Sequence, residues 1–195
     1  AFINKLQWVD LVKIPTLSLN TNSIKPYDSN AISIASYFTN RHIQAQNLLK
    51  ANQKIKIDKT MGYLTWRYIN NPSNNYNIFE LEADGISFYA VTKIFPSFTH
   101  ANRFEIDILE LNFPANKSYL SALMNAIKKH YRSKDVLQFY ILLSHNDPNY
   151  KILKIMGYKE SKTTTFLGIR TLDKKYNQLN TSNEWFYSMG DSDVY

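Results

Sequence analysis

A chain of 195 residues is the length of one ordinary domain with room for an arm or linker. Its 44% hydrophobic content, with 14 Tyr and 11 Phe, excludes a disordered chain, and the absence of Cys excludes disulfides, thiolate metal sites and thiol nucleophiles. The net charge of +7 favours anionic partners, but the cations are spread along the chain without a basic tract, so plain solubility outweighs nucleic-acid binding.

No apolar run approaches the ~20 residues of a membrane span, and no signal-peptide pattern opens the chain. With no Cys, these features fit a cytoplasmic setting. The first residue is Ala1 rather than Met, which points either to a lost initiator or to a preceding stretch, such as another domain.

Residues 1–28 carry Pro15, Pro26 and a Ser/Thr/Asn-rich middle, and read as an extended arm or interdomain linker. The alternation at Thr16-Leu17-Ser18-Leu19 hints at an edge strand. Residues 29–195 form the main domain. Asp28, Ser29 and Asn30 are all N-cap candidates for a helix to about Lys50, with Ile34, Phe38 and His42 on one face. Asp58 caps a second helix over 59–70, which Asn71-Pro72 ends.

A strand at 76–81, the turn Asp84-Gly85 and a second strand form a hairpin. Ile86, Phe88 and Ala90 line one face of that second strand, and Tyr89 and Val91 the other. A third strand covers 104–111, with Phe104, Ile106 and Ile108 opposite Glu105, Asp107 and Leu109.

A helix over 117–132 has its apolar stripe at Leu120, Leu123, Met124, Ile127 and Tyr131. The strand 136–143 is apolar on both faces, as a central strand is. Strand, helix and strand in this order imply a parallel pair with a right-handed crossover. A short helix at 148–155 stops at Gly157-Tyr158. Strands at 163–171 and 185–188, a polar excursion at 174–183 and an exposed acidic tail from Gly190 to Tyr195 close the chain.

Two helices, antiparallel strands, then strand-helix-strand-helix-strand resembles the GNAT-type N-acyltransferases. So do Tyr63-Leu64-Thr65-Trp66-Arg67-Tyr68 with Asn71-Pro72, and Asn146 with Gly157-Tyr158 eleven residues later. The first of these, and the ending Trp185-Phe186-Tyr187-Ser188-Met189-Gly190-Asp191-Ser192-Asp193, are similar to members found with bacterial surface-polysaccharide genes. The resemblance implies an α/β (α+β) fold with a mixed, mostly antiparallel sheet and a central parallel pair. It also implies acyl transfer from acetyl-CoA or another acyl-CoA to a small-molecule amine, an amino sugar among the candidates.

By the same resemblance, backbone near Leu109 and Leu111 binds the pantetheine arm, Lys117 and Ser118 meet the phosphates, and Asn146 holds the cofactor arm. The catalytic candidates are Glu105 and Asp107, with Glu110 also considered, as base and Tyr150 as acid. Solvated carboxylates and a packed surface Tyr are the plainer alternatives.

The chain departs from the family pattern at two places. The segment Ala115-Asn116-Lys117-Ser118-Tyr119-Leu120 holds no glycine where a phosphate loop needs close backbone approach. Leu153 stands where the family often has its acid Tyr. A catalytically silent binding module is therefore the second hypothesis. Trp66 reads either as core or as part of an acceptor pocket, and the four His show no metal spacing. His145, beside Asn146, is the one His worth testing.

Overall fold

The computed structural model describes residues 9–50, 55–169 and 185–192. Seven strands form one sheet: β1 (Val9–Asn20), β2 (Ile32–Ala35), β3 (Asn77–Ala83), β4 (Ile86–Pro96), β5 (Phe104–Asn112), β6 (Val136–Leu142) and β7 (Lys159–Ile169). Their spatial order is β2-β3-β4-β5-β6-β1-β7, and every neighbouring pair is antiparallel except β5–β6. The helices are α1 (Asn40–Leu49), α2 (Met61–Leu64, continued by a π-helical turn at Thr65–Ile69), α3 (Lys117–His130) and α4 (Pro148–Ile155). This is the mixed α/β sheet with one parallel pair that the sequence predicts.

The hairpin is built as expected. Asp84 (φ 51°) and Gly85 (φ 76°) both take the left-handed conformation that a two-residue turn requires, so the strands run on with matching twist. α4 ends in a Schellman arrangement: Tyr158 N donates to Leu153 O at 3.0 Å and Gly157 N to Lys154 O at 3.1 Å, with Gly157 at φ 100°.

Several expected elements come out differently. The region read as one helix from about 30 to 50 is a strand, β2, then a helix starting only at Asn40. Ile32-Ser33-Ile34-Ala35 pairs with β3 because its β-branched alternation suits a pleat. Thr60, not Asp58, caps α2, accepting from Tyr63 N at 3.2 Å.

Residues 9–20 are an interior strand between β6 and β7 rather than an edge strand. Pro15, which has no N–H to give, falls at a register shift in the β1–β7 pairing. The expected strand at 185–188 reduces to a single bridge, Trp185 to Ile55, followed by a 3₁₀ turn at Met189–Asp191. Gly190 is buried and Asp191 is paired, so the expected exposed tail is packed at least to Asp191. The polar excursion at 174–183 lies outside the described residues.

Both faces of the sheet are covered by apolar side chains. On one, Leu120, Leu123 and Ile127 of α3 and Leu153 of α4 pack on Ile106, Ile108, Phe139 and Ile141. On the other, Phe38, Leu64 and Tyr68 join Tyr89, Val91, Leu109, Leu142 and Met189. Burial at roughly 25 cal/mol per Å² makes these layers the main source of stability.

Candidate functional site

The parallel pair parts. Pairing of β5 with β6 runs from Phe104↔Val136 to Ile108↔Ile141 and stops. Residues 109–112 keep only β4 as a strand neighbour, while Leu143 N turns to donate to Pro15 O of β1 at 3.3 Å. A bulge sharpens the divergence. Val91 pairs with Glu110 and Thr92 with Ile108, so Leu109 has no partner on β4. Leu109 and Glu110 consequently project to the same face, and Leu111 returns to the α3 side.

Among the described residues, three buried acceptor atoms beyond this point receive no hydrogen bond: Glu110 Oε2, Asn112 Oδ1 and Asn149 Oδ1. Asn149, at the start of α4, donates through Nδ2 to Phe113 O at 3.1 Å, reaching from the β6 arm to the β5 arm. The sequence resemblance points instead to Asn146. That residue is exposed in the preceding turn, where its N donates to Ser144 Oγ at 3.3 Å.

The start of α3 shows how the chain manages without glycine. Asn116 is the N-cap, and its Oδ1 accepts from Ser118 N at 2.8 Å and Tyr119 N at 3.2 Å. Two donors that a bound phosphate would use are therefore satisfied by a side chain. Leu120 turns fully into the core, as its helical spacing predicts. Lys117 and Ser118 are exposed at the helix start.

Glu105 and Asp107 share a cleft of about 460 Å³ on the face away from α3 and α4. Lys93, Phe95, Phe98, Tyr140, Leu142 and Met189 help line it. Ser97 Oγ donates to Glu105 Oε1 at 2.8 Å. Asp107 is 6% exposed and, among the described residues, makes no hydrogen bond or ion pair. Burial pushes its carboxyl up to about 7, with neighbouring Glu105 adding to the rise and Lys93 opposing it.

Tyr150 lies on the other face, packed against the α3–α4 core layer. Its hydroxyl donates to Glu160, and its ring is 4.8 Å from that of His145, whose Nε2 is 3.6 Å from Glu160 Oε1. Burial and then the Glu160 carboxylate push the phenol up to about 12. The structure thus brings Glu105 and Asp107 together and leaves Tyr150 apart from them.

Sequence reasoning offers Glu110 as a base candidate but misses the cations around the parting, Lys59 and Lys50. Lys59 Nζ is 2.6 Å from Glu110 Oε1, 2.7 Å from Asp191 Oδ1 and 2.8 Å from Ser188 Oγ. Tyr68 also donates to Glu110 Oε1, at 2.7 Å. Burial works against the Lys59 charge, but Glu110 and Asp191 outweigh it and hold the ammonium above its usual range. Lys50 Nζ pairs with Asp147 Oδ2 at 3.1 Å and sits 3.9 Å over the Phe186 ring. Burial pulls that ammonium down despite Asp147.

The Trp66–Tyr68 stretch also resolves: Tyr68 is core, Trp66 is exposed, and Arg67 Nη2 donates to Ser192 O at 2.6 Å. Among the described residues no cluster of His or acidic side chains is arranged to hold a metal, and no helix is long and apolar enough to cross a membrane.

No family model and no curated protein matches the chain. Among solved structures, the chain is similar to a conserved protein of unknown function from Enterococcus faecalis, described as a probable N-acyltransferase. The TM-score is 0.54 at 15% identity, over 86% of this chain and 40% of that one. A GCN5-related N-acetyltransferase from Sphaerobacter thermophilus aligns with a TM-score of 0.44 at 9% identity, over 86% of this chain and 53% of that one. The sheet order, the parted parallel pair and the first of these likenesses define a GNAT-type fold. The chain spans less than two thirds of either structure's length.

Proposed function

We propose that the chain transfers an acyl group from an acyl-CoA to an amine. The observation that carries this reading is the parting of β5 from β6 after Ile108, which frees strand backbone at residues 109–112. The unpartnered acceptors Glu110 Oε2, Asn112 Oδ1 and Asn149 Oδ1 suit a pantetheine arm, which carries amide N–H donors. The backbone at Leu109 and Leu111 would align that arm. The phosphate end fits less well: with Asn116 occupying two helix donors, the Lys117 and Ser118 side chains and the helix dipole would have to meet much of the anion's charge.

A CoA thioester supplies an activated carbonyl carbon. Asp107, with its carboxyl pushed to about 7, is the base that takes a proton from the acceptor ammonium, and Glu105 beside it adds negative charge to attract that cation. The neutral amine then attacks the carbonyl, the C–N bond forms and the C–S bond breaks, and the proton that the nitrogen sheds is taken up by the departing thiolate, which leaves as the free thiol. Tyr150 is not assigned the acid's role, because its hydroxyl already donates to Glu160 on the opposite face. Asn146, one residue before the α4 cap, is assigned a contact to the cofactor arm from outside. An amino sugar of a surface polysaccharide remains the specific acceptor, supported by the sequence resemblance around residues 63–72 and 185–193. A further domain preceding Ala1 belongs to the same proposal.

Calorimetry with acetyl-CoA tests the reading. Saturable binding is expected, together with thermal stabilisation of about 2.7 kcal/mol at a hundredfold excess over Kd. No heat at millimolar ligand would favour the second reading, a catalytically silent module that binds a sugar or a partner domain. Its specific support is the self-capped, glycine-free start of α3.

A further inference from the structure

On the face away from α3 and α4, one short segment, residues 186–191, lies over the opening between β5 and β6, and it touches both arms. On the β5 side Ser188 Oγ donates to Glu110 Oε1 at 3.1 Å, and Asp191 pairs with Lys59, itself bound to Glu110. On the β6 side Phe186 covers Lys50, which pairs with Asp147 at the α4 cap. Met189 is buried with Leu109 from one arm and Leu142 from the other. The segment keeps its own shape: Ser188 N donates to Asp191 Oδ2 at 2.7 Å and Asp191 N to Ser188 O at 3.1 Å.

The attachments of this segment are of a kind that lets go. Among the described residues, no strand ladder joins residues 186–191 to the sheet. The nearest backbone tie is Phe186 N to Ile55 O at 2.8 Å, outside the seven strands. Departure leaves no stranded charge. Lys59 faces Glu110 and Asp191 while the segment is seated, a surplus of one negative charge, and faces Glu110 alone once it leaves. Lys50 keeps Asp147 in either state. A buried ion left without its partner is the usual large cost of such a movement, and it does not arise here.

We propose that residues 186–191 are a strap that closes the parting of β5 and β6 and swings away to admit a ligand arm between the two strands. The strap stands on its own contacts, and only the identity of the ligand rests on the acyl-transfer reading.

Gly190 supplies the test. A Cβ there would clash with Tyr68 Oη and Glu110 Oε1, so in Gly190→Ala either the strap or these two buried, mutually bonded side-chain ends must move. Hydrogen exchange on the full chain is compared with and without this change. The expected result is at least about tenfold faster exchange of residues 186–191, and of those amides in 109–112 that point away from β4, with β3 and β4 unchanged. Adding Tyr68→Phe, which removes the nearest clashing atom, should recover part of the protection. Phe186→Ala, which introduces no clash, should accelerate the same amides and stands in if Gly190→Ala does not fold.

Unchanged exchange at 109–112, or acceleration through the whole sheet, would overturn the strap. Acetyl-CoA calorimetry on the same samples separates the two proposals. Tighter binding to the released variant supports both. Faster exchange with no binding at millimolar acetyl-CoA supports the strap and removes the acyl-transfer reading. Tight binding with no change in exchange removes the strap alone.

Discussion

At the scale of single residues, Asp107 is the proposed base. A carboxyl held at about 7 by burial keeps a proton that the unfolded chain gives up near 3.8. Between those values the folded form binds more protons than the unfolded one, so this group makes stability fall as pH rises, and the fall ends above about 7. Its slope is at most about 1.4 kcal/mol per pH unit. Asp107→Asn should flatten that limb, as read from urea unfolding at about pH 4, 6 and 8. Equal slopes in the two proteins would refute the assignment. If the acyl-transfer reading holds, the same change should also lower turnover by roughly 10²–10⁴-fold, the usual range for a general base. Tyr150→Phe should leave turnover near wild type, since that hydroxyl serves Glu160 on the other face. The placement of Glu105 and Asp107 on one face was legible from the alternation of β5. Lys59 was not legible, because its partners Glu110 and Ser188 lie 51 and 129 residues away and nothing local distinguishes it from other lysines.

Among the elements, α3 shows what replaces a glycine loop. Asn116 spends its side chain on Ser118 N and Tyr119 N, so the helix start is stable without a ligand and less available to one. Asn116→Gly should cost the helix only a few tenths of a kcal/mol, whereas Asn116→Ala should cost about 1 kcal/mol. If the acyl-transfer reading holds, the glycine variant should bind CoA more tightly than wild type by calorimetry. Unchanged affinity would mean that the cap is not what limits the phosphate site. α3, β6 and α4 were readable nearly to the residue because each carries a local signal: an apolar stripe, an apolar run, or a Pro start and Gly stop. β2 reads as helix in the sequence because cap-type residues, Asp28 to Asn30, precede it and its four residues are too few to show a period against a helical background. The β1 segment reads as an arm because two prolines and a polar middle mimic a linker. Only the neighbours β6 and β7 turn that segment into an interior strand, and their pairing spans more than a hundred residues of sequence.

At the scale of the whole molecule, the buried cation Lys59 joins parts of the chain that no strand ladder connects. It ties α2's leading segment to β5 through Glu110 and to the turn at Met189–Asp191 through Asp191. The exposed pairs Arg41–Glu82 and Arg103–Asp135 are screened by water, and each is expected to contribute no more than about 1 kcal/mol. Lys59 differs in kind, because removing it leaves Glu110 and Asp191 facing each other without a counter-ion. Lys59→Met should therefore destabilise the chain by about 3–5 kcal/mol. Neutralising the two carboxylates in the same molecule, as Lys59→Met with Glu110→Gln and Asp191→Asn, should recover much of that loss, because the penalty comes from uncompensated charge and not from a lost attraction. Urea unfolding in low and high salt separates the cases. The buried network should be nearly indifferent to salt, while the surface pairs weaken. If the triple variant is no more stable than Lys59→Met alone, the cost lies in packing around the lysine stem, and charge balance is not what holds these segments together.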